Sequence, residues 1–262
     1  MTPILVIGGA GRMGGALIAG WRRAGAFEAS DLMILDPAPG PEAAASGARL
    51  NPDAAAIAAA RTVVLVVKPQ IWREAAAEVA PLLSPDAIVV SVAAGVASAD
   101  IAAAFGGRRV ARVMPTTAAA IGQGTASVFA ADPEARARAH ALFAPVGTVV
   151  DLADEDQMHA ATAVSGSAPA YLYAFVEALE AAGVSLGLAP DAARALARAT
   201  TAGAAALMAA TGADAADLRR QVTSPAGTTE AALKVLLGQA GLVPLLREAA
   251  AAAEQRSREL GR

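Results

Sequence analysis

The chain has 262 residues, enough for two domains, with 55% hydrophobic residues, 3% aromatic residues and a net charge of −3. The negative net charge and the few aromatic residues do not favour nucleic-acid binding, which uses basic surfaces and aromatic side chains that stack on bases. The absence of cysteine excludes disulfides, thiolate catalysis and cysteine-ligated metals. Much of the apolar content is alanine, so we expect a cytoplasmic protein with no membrane span, no signal peptide and no metal.

The first half of the chain alternates short apolar runs with alanine-rich helical segments, which is typical of a parallel sheet covered by helices. Each run is too short for a helix and too continuous for a half-exposed strand, so buried parallel strands are the better interpretation. The predicted strands span residues 4–7, 32–35, 63–67, 88–92 and 110–114, with two β-like segments at 125–129 and 148–152. The clearest predicted helices span residues 13–24 and 71–83.

A glycine-rich segment lies between the first predicted strand and the first predicted helix. Gly9, Gly11 and Gly14 fit the pattern G-x-G-x-x-G. In that pattern the first glycine permits a tight turn, the second lets backbone approach a pyrophosphate, and the third lets the helix pack on the strand. Phosphate would then meet the open N–H groups at the helix N-terminus. The alternative is an ordinary strand–helix turn, but the position inside a βαβ pattern favours a dinucleotide site.

Asp36 closes the second predicted strand about 20 residues past the glycines, where an acidic side chain can bind the ribose 2′-hydroxyl. Because no arginine follows it directly to bind a 2′-phosphate, NADH is favoured over NADPH. A turn aspartate before Pro37 is an equally open interpretation. Two further strand ends, at Lys68-Pro69 and at Ala93-Ala94, leave room for a ligand, although each alone is more often a plain strand–loop junction.

After the acidic segment 151–156 the pattern becomes helical, with breaks expected at residues 165–169, 183–190, 212 and 224–227. We therefore predict an α/β Rossmann domain over residues 1–152, with a doubly wound and mostly parallel sheet. An all-helical domain for dimerisation and substrate binding follows over residues 153–262. Its helices are rich in alanine and poor in bulky core residues, so we expect two subunits to complete one another's core.

Read in order, these segments resemble the pyrroline-5-carboxylate reductase family almost from end to end. Residues 164–171, VSGSAPAY, are similar to the family's L-S-G-S-G-P-A-Y, and residues 222–229, VTSPAGTT, are similar to its V-T-S-P-G-G-T-T. The resemblance implies reduction of 1-pyrroline-5-carboxylate to L-proline by hydride transfer from NADH or NADPH, the last step of proline biosynthesis. It also implies a homodimer joined through the helical domain and leaves higher assembly open.

The resemblance carries the family's functional residues to matching positions of this chain. Substrate contacts fall on Ser224, Thr228 and Thr229. Cofactor contacts fall on Gly8, Gly9, Ala10, Gly11, Arg12, Met13, Asn51, Val66, Val67, Lys68, Pro69, Val92, Ala93 and Ala94.

The segment 224–229 also makes chemical sense by itself. Ser224-Pro225 breaks the preceding helix, Gly227 permits an unusual backbone angle, and Thr228 and Thr229 open the next helix, over residues 231–237. The loop amides around Ala226 and Gly227 and at the helix start can hold a carboxylate with help from the Ser224 hydroxyl. Thr229 can then hydrogen-bond the ring nitrogen. The alternative is a plain helix cap.

Four substitutions relative to the family pattern leave the substrate open: Thr116, Ala118, Ala168 and Ala226. For Ala226 we expect ordinary backbone angles, because alanine is tolerated there. A related imine reductase or dehydrogenase for another small substrate would explain the other three. A cofactor-binding regulator without turnover is a further alternative, against which the intact residues of the 224–229 loop argue.

The shortage of bases favours imine reduction over oxidation of a hydroxy acid. Oxidation of a hydroxyl needs a base, usually histidine or lysine, and the chain has only two of each: His140, His159, Lys68 and Lys234. A pyrroline nitrogen can enter already protonated, so the protein mainly has to align the C=N carbon with the hydride. We interpret His159 as structural, and Tyr171 and Tyr173 as packing or interface residues.

Overall fold

The computed structural model describes residues 1–260, and their contacts divide the chain into two units. The first unit is Met1–Gly166 together with residues 253–260, and the second is Ser167–Ala252. A domain boundary between residues 152 and 153 stays a prediction. The last two residues of the predicted helical domain, 261 and 262, lie outside the described residues.

In the part of the chain that the structure describes, the first unit is built on one eight-stranded sheet. The strands are β1 (Ile4–Ile7), β2 (Leu32–Leu35), β3 (Arg49–Leu50), β4 (Thr62–Leu65), β5 (Ile88–Ser91), β6 (Val110–Pro115), β7 (Gly124–Phe129) and β8 (Gly147–Asp151). Their order is β3-β2-β1-β4-β5-β6-β7-β8, and every neighbouring pair is parallel except β6 and β7. The prediction of a doubly wound, mostly parallel sheet is confirmed.

Apart from strand ends that shift by one residue, the observed strands differ from the predicted ones at two places. The third predicted strand ends at Leu65, so Val66 and Val67 belong to the following loop, where the chain passes beside Gly8. The short strand β3 carries only two exposed residues, and so it gives no apolar run in the sequence.

Helices cover both faces of the sheet. They are α1 (Arg12–Ala24), α2 (Pro41–Ala44), α3 (Ala54–Ala58), α4 (Trp72–Val79), α5 (Ser98–Ala104), α6 (Pro133–Phe143) and α7 (Gln157–Ala161). On one face Trp21 is buried, and its indole N–H donates to the carbonyl of Leu142 at 2.6 Å. On the other face Phe105 and Ile101 are completely buried. Both cores use the continuous apolar strands, because each strand has side chains on both faces.

The second unit is helical throughout its described residues. It contains α8 (Ala168–Ser185), α9 (Pro190–Thr211), α10 (Ala215–Gln221), α11 (Thr228–Leu236) and most of α12 (Leu242–Leu260). The predicted breaks near residues 187 and 212 hold glycines with positive φ, 96° at Gly187 and 62° at Gly212, where a helix can end without strain. Among the described helices, none combines the length and the apolar character that crossing a membrane requires.

Candidate active site

The carboxyl ends of β1, β2 and β4 open onto a cleft of 570 Å³ in the first unit. Parallel strands bring these ends to one edge, which is where doubly wound sheets bind ligands. The predicted cofactor residues that line this cleft are Gly8, Gly11, Asp36, Val66, Val67 and Lys68. An adjoining cleft of 400 Å³ is lined by Gly9, Ala10, Gly11 and Arg12 among others. Within the described residues, neither lining includes Met13, Gly14, Asn51, Pro69, Val92, Ala93 or Ala94.

The glycines of the loop have distinct steric roles. A Cβ on Gly14 would stand 2.4 Å from the carbonyl oxygen of Gly8, so close helix–strand packing requires glycine there. Gly9 was expected to provide the tight turn, but the positive φ of 96° lies at Gly8; a Cβ on Gly9 would instead meet Ile34 at 2.6 Å. At Gly11 φ is −68°, and no atom of the described residues would lie within 4 Å of a Cβ. The described residues therefore leave room for a side chain at position 11. A glycine at such a position is explained by a pyrophosphate that approaches the backbone closely.

Asp36 has a structural function in the cleft besides its predicted one. Its carboxylate accepts hydrogen bonds from the amides of Ala10 at 2.7 Å and Ala38 at 3.0 Å, which ties the glycine loop to the turn after β2. Asn51, at φ 46°, accepts the Asp36 amide with its side-chain oxygen at 3.0 Å. Asp36 therefore stabilises the turn, as one of its two interpretations predicted. The same residue also lines the cleft beside Pro37.

The charge of this cleft is mostly acidic. Glu74 and Glu78, one turn apart on α4, line it together with Asp36, and Lys68 is the cation of the lining. The sequence pattern does not single out these two glutamates. Their helical spacing of four was visible in the sequence, but the face they occupy depends on how α4 packs on the sheet.

The loop after β5 is held by the Ser91 side chain and by an ion pair between a buried arginine and a half-buried glutamate. The Ser91 hydroxyl accepts the Ala93 amide at 3.2 Å, and Gly95 has a φ of 79° where the loop turns. Glu155 accepts hydrogen bonds from the amide of Ser98 at 2.6 Å and from its hydroxyl at 2.7 Å, at the start of α5. Arg112 of β6, whose side chain is 5% exposed, donates to the same carboxylate at 2.8 Å.

Burial raises the pKa of Glu155, but the hydrogen bonds from Ser98 and Arg112 outweigh it and hold the pKa below its ordinary value. This ion pair is not among the contacts predicted from the sequence. A lone arginine within an apolar strand was the available signal, because a buried guanidinium requires a partner.

Thr116 and Ala118 lie where β6 leads into a turn of 3₁₀ helix at Thr117–Ile121. Thr116 is buried, and its hydroxyl accepts the Thr125 amide at 3.0 Å, so the threonine stabilises the connection between β6 and β7. The same turn packs on α1: a Cβ on Gly20 would stand 2.2 Å from the Ala119 carbonyl oxygen. Ala168 is the first residue of α8, in the second unit.

In the second unit, residues 224–227 form a tight turn that leads into α11. The amide of Gly227 donates to the Ser224 carbonyl at 3.1 Å, with Pro225 and Ala226 between them. Gly227 is the N-cap of α11, and its cap receives no side-chain hydrogen bond from the described residues. A Cβ on Gly227 would lie 2.5 Å from the Ser224 hydroxyl, so that hydroxyl stands beside the helix start. Ser224 and Thr228 are exposed, and Thr229 is half-buried.

The backbone angles of this turn reverse two predictions. Ala226 has a φ of 59°, whereas ordinary angles were expected, and Gly227 has an ordinary φ of −82°, whereas an unusual angle was expected. A turn with proline second requires a positive φ at its third position, which is residue 226, when it adopts the type II form. Gly227 is needed for space instead, because a side chain there would collide with Ser224.

His159 has a structural position. Its Nδ1 lies 2.9 Å from the hydroxyl of Ser257 on α12, and burial, with Arg258 and Arg112 nearby, lowers its pKa. Tyr171 is half-buried on α8, and its hydroxyl has no hydrogen-bond partner among the described residues.

Comparison with protein families gives two matches. The family described as pyrroline-5-carboxylate reductase dimerisation matches residues 155–260, and the family described as NADP oxidoreductase coenzyme F420-dependent matches residues 3–95. The pyrroline-5-carboxylate reductase of Pseudomonas aeruginosa is 39% identical, over 99% of this chain and 97% of its own length. That of Pisum sativum is 38% identical, over 96% of this chain and 94% of its own length.

Two solved structures extend the similarity. The pyrroline-5-carboxylate reductase of Coxiella burnetii superposes with a TM-score of 0.90 at 31% identity, covering 100% of this chain and 99% of that one. A pyrroline carboxylate reductase of Plasmodium falciparum, crystallised with NADP bound, superposes with a TM-score of 0.86 at 23% identity, covering 100% of this chain and 98% of that one. The second likeness concerns the fold alone.

Proposed function

The chain belongs to the pyrroline-5-carboxylate reductase family, and on that basis we propose that it reduces 1-pyrroline-5-carboxylate to L-proline with hydride from a nicotinamide cofactor. The observation that carries the proposal is the turn at residues 224–227, which places the Ser224 hydroxyl beside a helix start that no side chain of the described residues caps. A hydroxyl with open amides suits a small carboxylate. The Glu230 carboxylate beside the turn is engaged by the Ala226 amide, whereas oxidation of a hydroxy acid would require a base that is able to accept a proton.

The cofactor is assigned to the cleft at the carboxyl edge of the sheet. Gly11 leaves its backbone open for the pyrophosphate, and the first-turn amides of α1 face the same loop. Asp36 holds the loop through the Ala10 amide and offers its remaining acceptor capacity to the ribose. We assign the further contacts at Val66–Lys68 and at Val92, Ala93 and Ala94 on the family pattern.

The substrate is assigned to residues 224–229. The amides of Thr228 and Thr229 and the Ser224 hydroxyl hold the carboxylate, with the helix dipole adding attraction. The Thr229 hydroxyl accepts a hydrogen bond from the protonated ring nitrogen and so orients the C=N carbon toward the hydride. A nicotinamide cofactor, when bound, would supply the hydride to the C=N carbon, and the π electron pair would move to the ring nitrogen. The protein's contribution is orientation, because the imine arrives already protonated.

We propose that NADH is the preferred cofactor. Asp36, Glu74 and Glu78 line the cofactor cleft, and a 2′-phosphate would add negative charge beside these three carboxylates. Lys68 offers a single positive charge on the same lining.

We also propose a homodimer formed by the helical unit. In α8, α10 and α11 of the described chain no residue is fully buried, and large apolar side chains face outward, among them Leu172 at 59% and Val235 at 75% exposure. Apolar surface of this extent indicates an interface.

The decisive experiment follows NADH oxidation at 340 nm with pyrroline-5-carboxylate and identifies proline in the product. Other cyclic imines and 2-hydroxy acids are run beside it. Good turnover of one of those, with none of pyrroline-5-carboxylate, would favour the alternative of a related reductase or dehydrogenase. Cofactor binding without turnover of any substrate would favour a regulatory protein.

A further inference from the structure

Ala226 is the one alanine of the described chain with a positive φ, at 59°, and it lies inside the proposed substrate loop. The other non-glycine residue with a positive φ is Asn51, a type whose side chain tolerates that region far better. An alanine held in the left-handed region persists only where its surroundings impose the conformation.

The contact that can impose it comes from Glu230. Oε2 of Glu230 accepts the amide of Ala226 at 2.5 Å, and Oε1 lies 3.4 Å from Nζ of Lys234. In a type II turn the amide of the third residue points away from the turn, so it needs an acceptor from outside. Glu230 is the third residue of α11, from which a carboxylate can reach back over the helix start.

This contact bears on the amides assigned to the substrate carboxylate. Ala226 precedes Gly227, the N-cap whose backbone orients the first turn of α11. If residue 226 left the positive-φ region, Gly227 and the amides of Thr228 and Thr229 would move with it. The Ser224 hydroxyl, which stands over Gly227, would also lose its place.

Resting on the proposed function, we propose that Glu230 is a positioning residue: it holds Ala226 at positive φ and thereby sets the substrate-binding amides of α11. It does not touch the substrate. Its carboxylate is already engaged by Ala226 and Lys234, so it leaves the substrate carboxylate to the free amides. Glycine at 226 would adopt the same angle unaided, so the need for Glu230 is specific to a chain with alanine there.

The test is a double-mutant cycle on the full chain, with KM for pyrroline-5-carboxylate, KM for NADH and kcat measured separately. Glu230→Ala should raise KM for pyrroline-5-carboxylate about tenfold, equivalent to about 1.4 kcal/mol, and leave KM for NADH unchanged. In the Ala226→Gly background the same substitution should raise it less than about threefold, because glycine needs no clamp. Glu230→Gln keeps an acceptor oxygen and should stay close to wild type. Glu248→Ala, an exposed glutamate on α12, is the matched control.

An equal effect of Glu230→Ala in both backgrounds, a lowered KM, or a Glu230→Gln enzyme as impaired as Glu230→Ala would each overturn the inference. If the wild type makes no proline, the proposed function fails and the clamp is judged by thermal melting. Glu230→Ala must then lower Tm more in the chain with Ala226 than in the Ala226→Gly background. Equal losses of Tm would reject the proposed role of Glu230.

Discussion

Arg112 Nη1 lies 2.8 Å from Glu155 Oε1, and through this contact β6 is tied to the start of α5. The same carboxylate accepts both the amide and the hydroxyl of Ser98, which follows the loop that carries Val92, Ala93 and Ala94. A single side chain from beyond the sheet therefore fixes the end of a predicted cofactor loop. The guanidinium is nearly inaccessible to water, so losing its partner would leave a buried charge unpaired.

The first prediction concerns acid. The pKa of Glu155 is lowered in the folded protein, so its contribution to stability is present above its unfolded pKa and is lost as pH falls through the folded pKa. At pH 7 Glu155→Gln should lower the free energy of unfolding by about 2–3 kcal/mol, because it weakens the pairing of the buried Arg112 guanidinium. The difference should shrink once the pH is below about 4, the ordinary range of a glutamate pKa. Denaturant unfolding at fixed protein concentration from pH 3 to pH 8 measures it, and a difference that does not depend on pH would contradict it.

The second prediction separates the two kinds of glycine in the loop. Gly14→Ala should destabilise the first unit, because its Cβ would meet the Gly8 carbonyl oxygen at 2.4 Å. Gly11→Ala meets no described atom within 4 Å and should change Tm far less, yet weaken NADH binding at least about tenfold. Melting curves and fluorescence titration with NADH distinguish the two. If Gly11→Ala bound NADH as well as wild type, the pyrophosphate would have to lie elsewhere.

The sequence predicted the sheet and most of its strands because buried parallel strands are continuous apolar runs. It could not predict where β4 ends, since that depends on the approach of Val67 to Gly8 across the sheet. The glycine motif located the cleft, but Glu74 and Glu78 came to it only through the packing of α4. The φ of Ala226 differs from the prediction because the position after Pro225 decides this angle, and the residue type does not. Proline second in a tight turn was the better signal.

The third prediction concerns cofactor choice. Neutralising the cleft with Glu74→Gln and Glu78→Gln should improve kcat/KM with NADPH relative to NADH by about threefold to tenfold, as expected for removing two nearby like charges. Asp36→Asn should act in the same direction but also loosen the loop, because the Ala10 and Ala38 amides both use its carboxylate. Kinetics with both cofactors at low and high salt decide the matter. The wild type could instead prefer NADPH strongly, with the same preference after Glu74→Gln, Glu78→Gln and Asp36→Asn. That result would show that these carboxylates do not determine which cofactor is used.

The fourth prediction concerns assembly. Leu172 and Leu179 lie two turns apart on one face of α8 and are 59% and 39% exposed in the single chain. Leu172→Glu with Leu179→Glu should shift sedimentation from dimer to monomer, because burying two charges at an apolar interface is costly. Glu177, exposed on the same helix, supplies a control as Glu177→Gln. An unchanged dimer would mean that the subunits meet through another face.

The last prediction concerns Thr229, the residue assigned to the reacting nitrogen. Thr229→Ala should lower kcat/KM by roughly tenfold to a hundredfold, which corresponds to about 1.4–2.7 kcal/mol. Thr229→Ser keeps the hydroxyl and should recover most of that loss. Tm should barely change in either variant, since a threonine in the first turn of a helix contributes only about 1 kcal/mol.

Ala226→Gly should have the opposite effect on stability, because it relieves left-handed backbone strain of roughly 1–2 kcal/mol and so should raise Tm. Because Thr229→Ala changes a hydroxyl and Ala226→Gly changes only backbone freedom, the pair separates chemistry from loop architecture. Unchanged kinetics in Thr229→Ala would withdraw the catalytic assignment even if Ala226→Gly behaved as expected.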